Sequence, residues 1–111
     1  GGFMANQPTY GFLMYAPSES ILGTGKVDEY FLATTIYNGA SSLFQANNES
    51  EFTGGVGDAS MGGFTLGSYA GGTGYEGNPR VAEVIVQSSV ATSNERTLVR
   101  NYVQQRYNIS M

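Results

Sequence analysis

Hydrophobic and polar residues alternate in short blocks through most of the chain, and only the C-terminal stretch adopts a helical period. Residues 10–15 (YGFLMY) form an apolar run stopped by Pro17, which predicts a strand. Residues 1–6 read as an irregular arm before it, and 18–26, with Gly23 and Gly25, as a loop after it. Residues 29–37 (EYFLATTIY) are rich in aromatic and β-branched side chains, as a central strand requires. Asn38-Gly39 follows, then 41–46 (SSLFQA). Asn-Gly between two strand-like runs predicts a tight hairpin, because both central residues of a type I′ turn need positive φ. Asn47-Asn48 offers a second turn, with 49–53 as a return strand.

The second half is punctuated by glycine. Residues 54–63 cannot stay regular for long, 64–68 (FTLGS) read as a short strand with Phe64 and Leu66 on one face, and 70–79 read as another glycine loop. Residues 80–88 (RVAEVIVQS) are almost continuously apolar, the pattern of a strand covered on both faces. The helix signal comes last. Thr92-Ser-Asn-Glu95 matches a capping box, in which Thr92 takes the N3 amide and Glu95 reaches back to the N-cap amide. Leu98, Val99, Tyr102, Val103 and Tyr107 then recur as one stripe, expected to dock on a sheet, with Arg96, Arg100, Gln104 and Gln105 on the other side. The helix is expected to end near Arg106, short of Asn108.

Composition narrows the chemistry. At 111 residues the chain suits one domain, 1–111. Charged residues are 13%, well under the ~25% usual in soluble domains, and the 16 glycines suit short strands and turns. Net charge is −4, and Arg96, Arg100 and Arg106 are too sparse to track a phosphate backbone, so nucleic acid is not an expected partner. The absence of Cys and His removes disulfides, thiolate sites, the usual zinc ligand and every Ser-His triad. No apolar run approaches the ~20 residues needed to span a bilayer, so no membrane partner is expected.

Read in order, the Asn38-Gly39 hairpin, the glycine stretch, 63–67 (GFTLG), a second glycine loop, 80–86 (RVAEVIV) and the capped helix through Tyr107-Asn-Ile109 resemble the C-terminal portion of laminin-G-like domains of the concanavalin A-like lectin/glucanase superfamily. Ala82-Glu83, Thr92 to Glu95, and Tyr102 with Tyr107 carry the resemblance, which spans residues 30–109. It implies an all-β fold: an antiparallel jelly-roll β-sandwich, complete or partial, with one C-terminal α-helix. Domains of that family are longer, so the resemblance implies a chain lacking its N-terminal strands.

Catalytic members of the superfamily are similar to one another in a Glu-x-Asp-x-x-Glu strand, which sets two carboxylates at the ~5–5.5 Å of retaining glycosidases. Nothing here matches; Glu49 and Glu51 alternate, but beside a predicted turn, as solvated carboxylates do. Glu83 is the carboxylate embedded in an apolar run, and a pairing with Arg80 or a helix arginine outweighs a ligand role. Asp58, Glu76 and Asn78 lie in glycine loops, where hard oxygen ligands for calcium often sit, yet no ordered ligand loop is spelled out. Asp58 and Glu76 are the candidate metal ligands, with no cofactor as the expectation. Tyr69 and Tyr75 flank one glycine loop and offer flat faces for sugar stacking; with Glu76 and Asn78 they form the candidate ligand-binding set. Gly71-Gly-Thr-Gly74 lacks the Lys-Ser/Thr of a phosphate loop.

The resulting expectation is a non-catalytic module for carbohydrate binding, structure or attachment, extracellular, on a cell surface or in a virion. The alternative is a fragment of a polysaccharide-degrading glycoside hydrolase. The doubly apolar 80–88 run and the few charges predict a homo-oligomer, or a sheet completed by another chain.

Overall fold

The computed structural model describes the backbone of residues 2–6, 11–16 and 19–23, and residues 29–56 and 80–111 with their side chains. Among the described residues, six strands and one α-helix run in the order β1 (Gly2–Asn6), β2 (Gly11–Ala16), β3 (Glu19–Gly23), β4 (Ala33–Ile36), β5 (Ser42–Ala46), β6 (Phe52–Gly54) and α1 (Ser93–Tyr107). They form two three-stranded antiparallel sheets, β1-β2-β3 and β4-β5-β6, each with spatial order equal to chain order.

This corrects the all-β jelly-roll expectation. A jelly roll interleaves strands through Greek-key crossovers between two sheets. Here both sheets are simple meanders, and the second half of the described chain is helix and irregular segment. The run at 80–88, expected to be a strand covered on both faces, joins neither sheet, and every residue from 81 to 90 is exposed. Its composition satisfies a strand, but a ladder also needs a partner in register, and composition carries no information about that.

The first sheet differs from expectation at both ends. The arm at 1–6 pairs as β1, with Met4 opposite Leu13, and the expected loop at 18–26 contains β3, with Ile21 opposite Met14. Only β2 follows the sequence reading closely.

In the second sheet β5 is the central strand, and all five of its residues are buried. Alternation separates them by face. Phe44 and Ala46 join Val56, with Phe31, Ala33, Tyr37 and Phe52 packed around them. The rings of Phe44 and its ladder partner Phe52 lie 6.4 Å apart and tilted by 40°. Leu43 and Gln45 point to the opposite face, where Ile36 stands across from Leu43.

The β4–β5 connection is not the two-residue type I′ hairpin. Gly39 has φ +53° but Asn38 has φ −149°, and residues Gly39–Ser41 form a short 3-10 turn. The buried Ser42 hydroxyl explains the preference: it accepts from the Asn38 amide at 2.9 Å and donates to the Gly39 carbonyl at 2.8 Å. At the other end of β5, Asn47 takes a left-handed φ of 50°, which Asn tolerates better than most residues. Its amide donates to the Leu32 carbonyl at 2.8 Å and its Oδ1 accepts from the Leu32 amide at 2.9 Å, adding a rung beyond the ladder.

The helix begins as the sequence predicts. Thr92 Oγ1 accepts from the Glu95 amide at 3.2 Å, and Glu95 Oε2 accepts from the Thr92 amide at 2.8 Å. It ends at Tyr107, with Asn108 as a left-handed C-cap. Its docked face is rotated from the expected stripe. Val103 is buried at 7% exposure, whereas Leu98 is 68% exposed and Tyr102 is also exposed. Arg96 and Arg100, expected to face solvent, are half-buried and tie the helix to the second sheet. Arg100 Nη1 donates to Gln45 Oε1 at 3.1 Å, and Arg96 Nη2 pairs with Glu51 at 3.1 Å. Long arginine stems reach the sheet, and the Arg96 Nη atoms bond the Ala91 carbonyl and Glu51 while its buried Nε makes no hydrogen bond.

Candidate functional site

The loop residues singled out for ligand binding (Tyr69, Tyr75, Glu76 and Asn78) and for metal (Asp58 and Glu76) lie outside the described residues, as does the predicted strand at 64–68. Among the described residues no group of three or more acidic, His or Cys side chains gathers to hold a metal ion. Glu49 and Glu51 flank the β5–β6 turn, both exposed, and Glu51 is engaged by Arg96. That is the solvated, ion-paired behaviour of surface carboxylates.

The structure instead brings the 80–91 segment and α1 together. Glu83 accepts hydrogen bonds from the Tyr102 hydroxyl at 3.0 and 2.9 Å to its two oxygens, and from the Tyr107 hydroxyl. The guanidinium of Arg106 sits 5.6 Å from the Tyr107 ring centroid. Farther along, Gln87 Nε2 donates to Glu95 Oε2 at 3.3 Å and to Ser89 Oγ at 3.1 Å. The segment therefore runs antiparallel to the helix, Glu83 against its C-terminal half and Gln87 against its first turn.

The electrostatics follow from those bonds. The Tyr107 and Tyr102 hydroxyls, with Arg106 adding a smaller Coulombic pull, hold the Glu83 carboxyl below the usual carboxylate range. Both phenols are in turn pushed up, first by their hydrogen bonds to Glu83. Glu95 is likewise lowered, mainly by the Thr92 amide and then by Gln87. Sequence reasoning singled out Glu83 and both tyrosines but expected arginine as the partner of Glu83; an apolar segment lying along a helix meets whichever side chains that face carries, and here they are phenols.

Between the two ties the surface is apolar. Glu95, Leu98 and Tyr102 share one helix face by their spacing of three and four, and Glu95 and Tyr102 both bind the segment, so Leu98 lies on the same side of the molecule. Val81, Val84, Ile85, Val86 and Val90 are all exposed, Val86 at 62%. Five exposed large apolar side chains within residues 81–90, with Leu98 exposed on the helix that this segment lies along, differ from the scattered exposure normal on monomers. Arg80 and Glu83 are the charges between residues 80 and 91.

No family model matches this chain, and neither a curated protein nor a solved structure matches it significantly. Among the described residues no helix is long and apolar enough to cross a membrane.

Proposed function

We propose that this chain is a non-catalytic structural module whose function is assembly, through the apolar face formed by residues 81–90 and Leu98, with a second copy of the same chain as its occupant. The exposure of Val81, Val84, Ile85, Val86 and Val90, in a segment tied to the helix that carries the exposed Leu98, supports the reading. A two-fold interface sets a patch against itself, which excludes patches rich in one sign of charge. This patch satisfies that condition: Glu83 is held by two phenols, and Arg80 supplies the opposite sign three residues away. Residues 81–86 have strand composition and stand outside both sheets, so strand addition along them is the natural mode.

The reading is tested by sedimentation of the wild-type chain beside Ile85→Lys, a substitution at an exposed position that does not threaten the monomer fold. The wild type should sediment as a dimer and I85K as a folded monomer. Identical sedimentation of the two would overturn the reading. A glycan array run alongside tests the carbohydrate-binding alternative, for which specific retention of one glycan class on the wild-type chain would speak.

A further inference from the structure

The sequence contains one Asn-Gly pair, Asn38-Gly39, and the fold places it at an exposed corner of the second sheet. A glycine after asparagine leaves the following amide nitrogen unhindered. That nitrogen can attack the Asn side-chain carbonyl carbon, forming the Gly39 N–Cγ bond as the Cγ–Nδ2 bond breaks and ammonia leaves with the amide proton. Water then opens the cyclic imide at either carbonyl, giving Asp or isoaspartate at position 38. The Gly39 amide opens the short 3-10 turn, and the first amides of a helical turn have no intrahelical acceptor, so this nitrogen is not tied up within the turn.

The native geometry opposes ring closure. A five-membered imide needs a negative ψ at the asparagine, whereas Asn38 is held at ψ 53°. The Ser42 hydroxyl holds it there, bridging the Asn38 amide and the Gly39 carbonyl across the peptide that must rotate. The same carbonyl accepts from the Val56 amide at 3.3 Å, so the corner also anchors a fully buried core residue. We infer that Asn38 is the site of spontaneous deamidation in this chain, and that the Ser42 hydroxyl sets how fast it converts in the folded protein. The isoaspartate product carries an extra backbone carbon between position 38 and Gly39, which displaces the Gly39 carbonyl from both Ser42 and Val56. Ageing at this corner therefore loosens the second sheet as well as adding a negative charge.

The test follows isoaspartate and the mass gain of amide-to-acid conversion by peptide mapping of the full chain, incubated at mildly alkaline pH with and without urea. Conversion should concentrate at Asn38 and run faster in urea than in the folded chain. Ser42→Ala removes both hydroxyl bonds at this corner and should raise the folded rate at least about fivefold, the factor for one bond of ordinary net strength, while leaving the rate in urea unchanged. Gly39→Ala, strained in the folded chain by its φ of +53°, is compared in urea alone, where its methyl should slow conversion. Dominant conversion at another asparagine, or equal S42A and wild-type rates in the folded state, would overturn the inference. Should S42A fail to fold, the wild-type comparison still decides: a folded rate at or above the rate in urea would also overturn it.

Discussion

Arg100 reaches across from the helix to Gln45 at the centre of the second sheet, Nη1 to Oε1 at 3.1 Å. Gln45 is only 5% exposed, and its other amide atom already donates to the Glu49 carbonyl at 2.8 Å. The bond therefore satisfies a buried acceptor and fixes the helix over the Leu43 face. Arg100→Ala should cost about 1–3 kcal/mol, because a buried acceptor without a donor loses its full desolvation compensation. A urea midpoint unchanged in R100A would show that Gln45 finds another donor.

The rotated helix face gives an ordered set of effects. Thr92→Ala should cost about 1 kcal/mol through loss of the capping bond. Val103→Ala removes two buried carbons and should cost about 1.5 kcal/mol. Leu98→Ala, at an exposed position of the monomer, should stay within about 0.5 kcal/mol when melts are run dilute. An L98A loss larger than that of V103A would mean that the original stripe, not the rotated one, docks.

How far the sequence spoke is visible on this helix. Its limits were legible, because caps are local chemistry encoded within four residues. Its orientation was not. Apolar periodicity points to Leu98 and Tyr102, but the arginines won the sheet face because Gln45 and Glu51 wait there, partners 55 and 45 residues away. The same distinction covers the strands. Residues 42–46 and the turn at Asn47 were readable, whereas 80–88 has strand composition and no strand, since pairing is a property of two segments. At the candidate face, Glu83 stood out as a charge in an apolar run, but which helix side chains it meets depended on that same rotation.

Asn47 provides a backbone test. Asn47→Ala loses the Oδ1 bond to the Leu32 amide and places a Cβ-bearing residue without side-chain compensation at φ 50°. The two effects together should cost about 2 kcal/mol. Asn47→Gly keeps the backbone comfortable and should cost clearly less. Thermal melts in which N47G is the worse of the two would remove left-handed geometry from the explanation.

The Glu83 clamp predicts a stability window bounded on both sides. Its folded pKa lies below the ordinary 4.5, so its contribution is present above that value and fades as pH falls through the lowered one. Tyr102 and Tyr107 are raised above 10.0, so their contribution is present below 10.0 and fades as pH rises through the raised values. Glu83→Gln should therefore be less stable than wild type at neutral pH, with the difference closing in strong acid. A pH-independent difference would show that the clamp does not act through charge.

The assembly reading is tested most directly by the molar mass in solution, from light scattering of the purified wild-type chain across low micromolar concentrations. Burying residues 81–90 and Leu98 against a second copy predicts twice the 11.8 kDa chain mass, falling toward one chain only on dilution. A folded, soluble chain that stays at a single-chain mass throughout would contradict it.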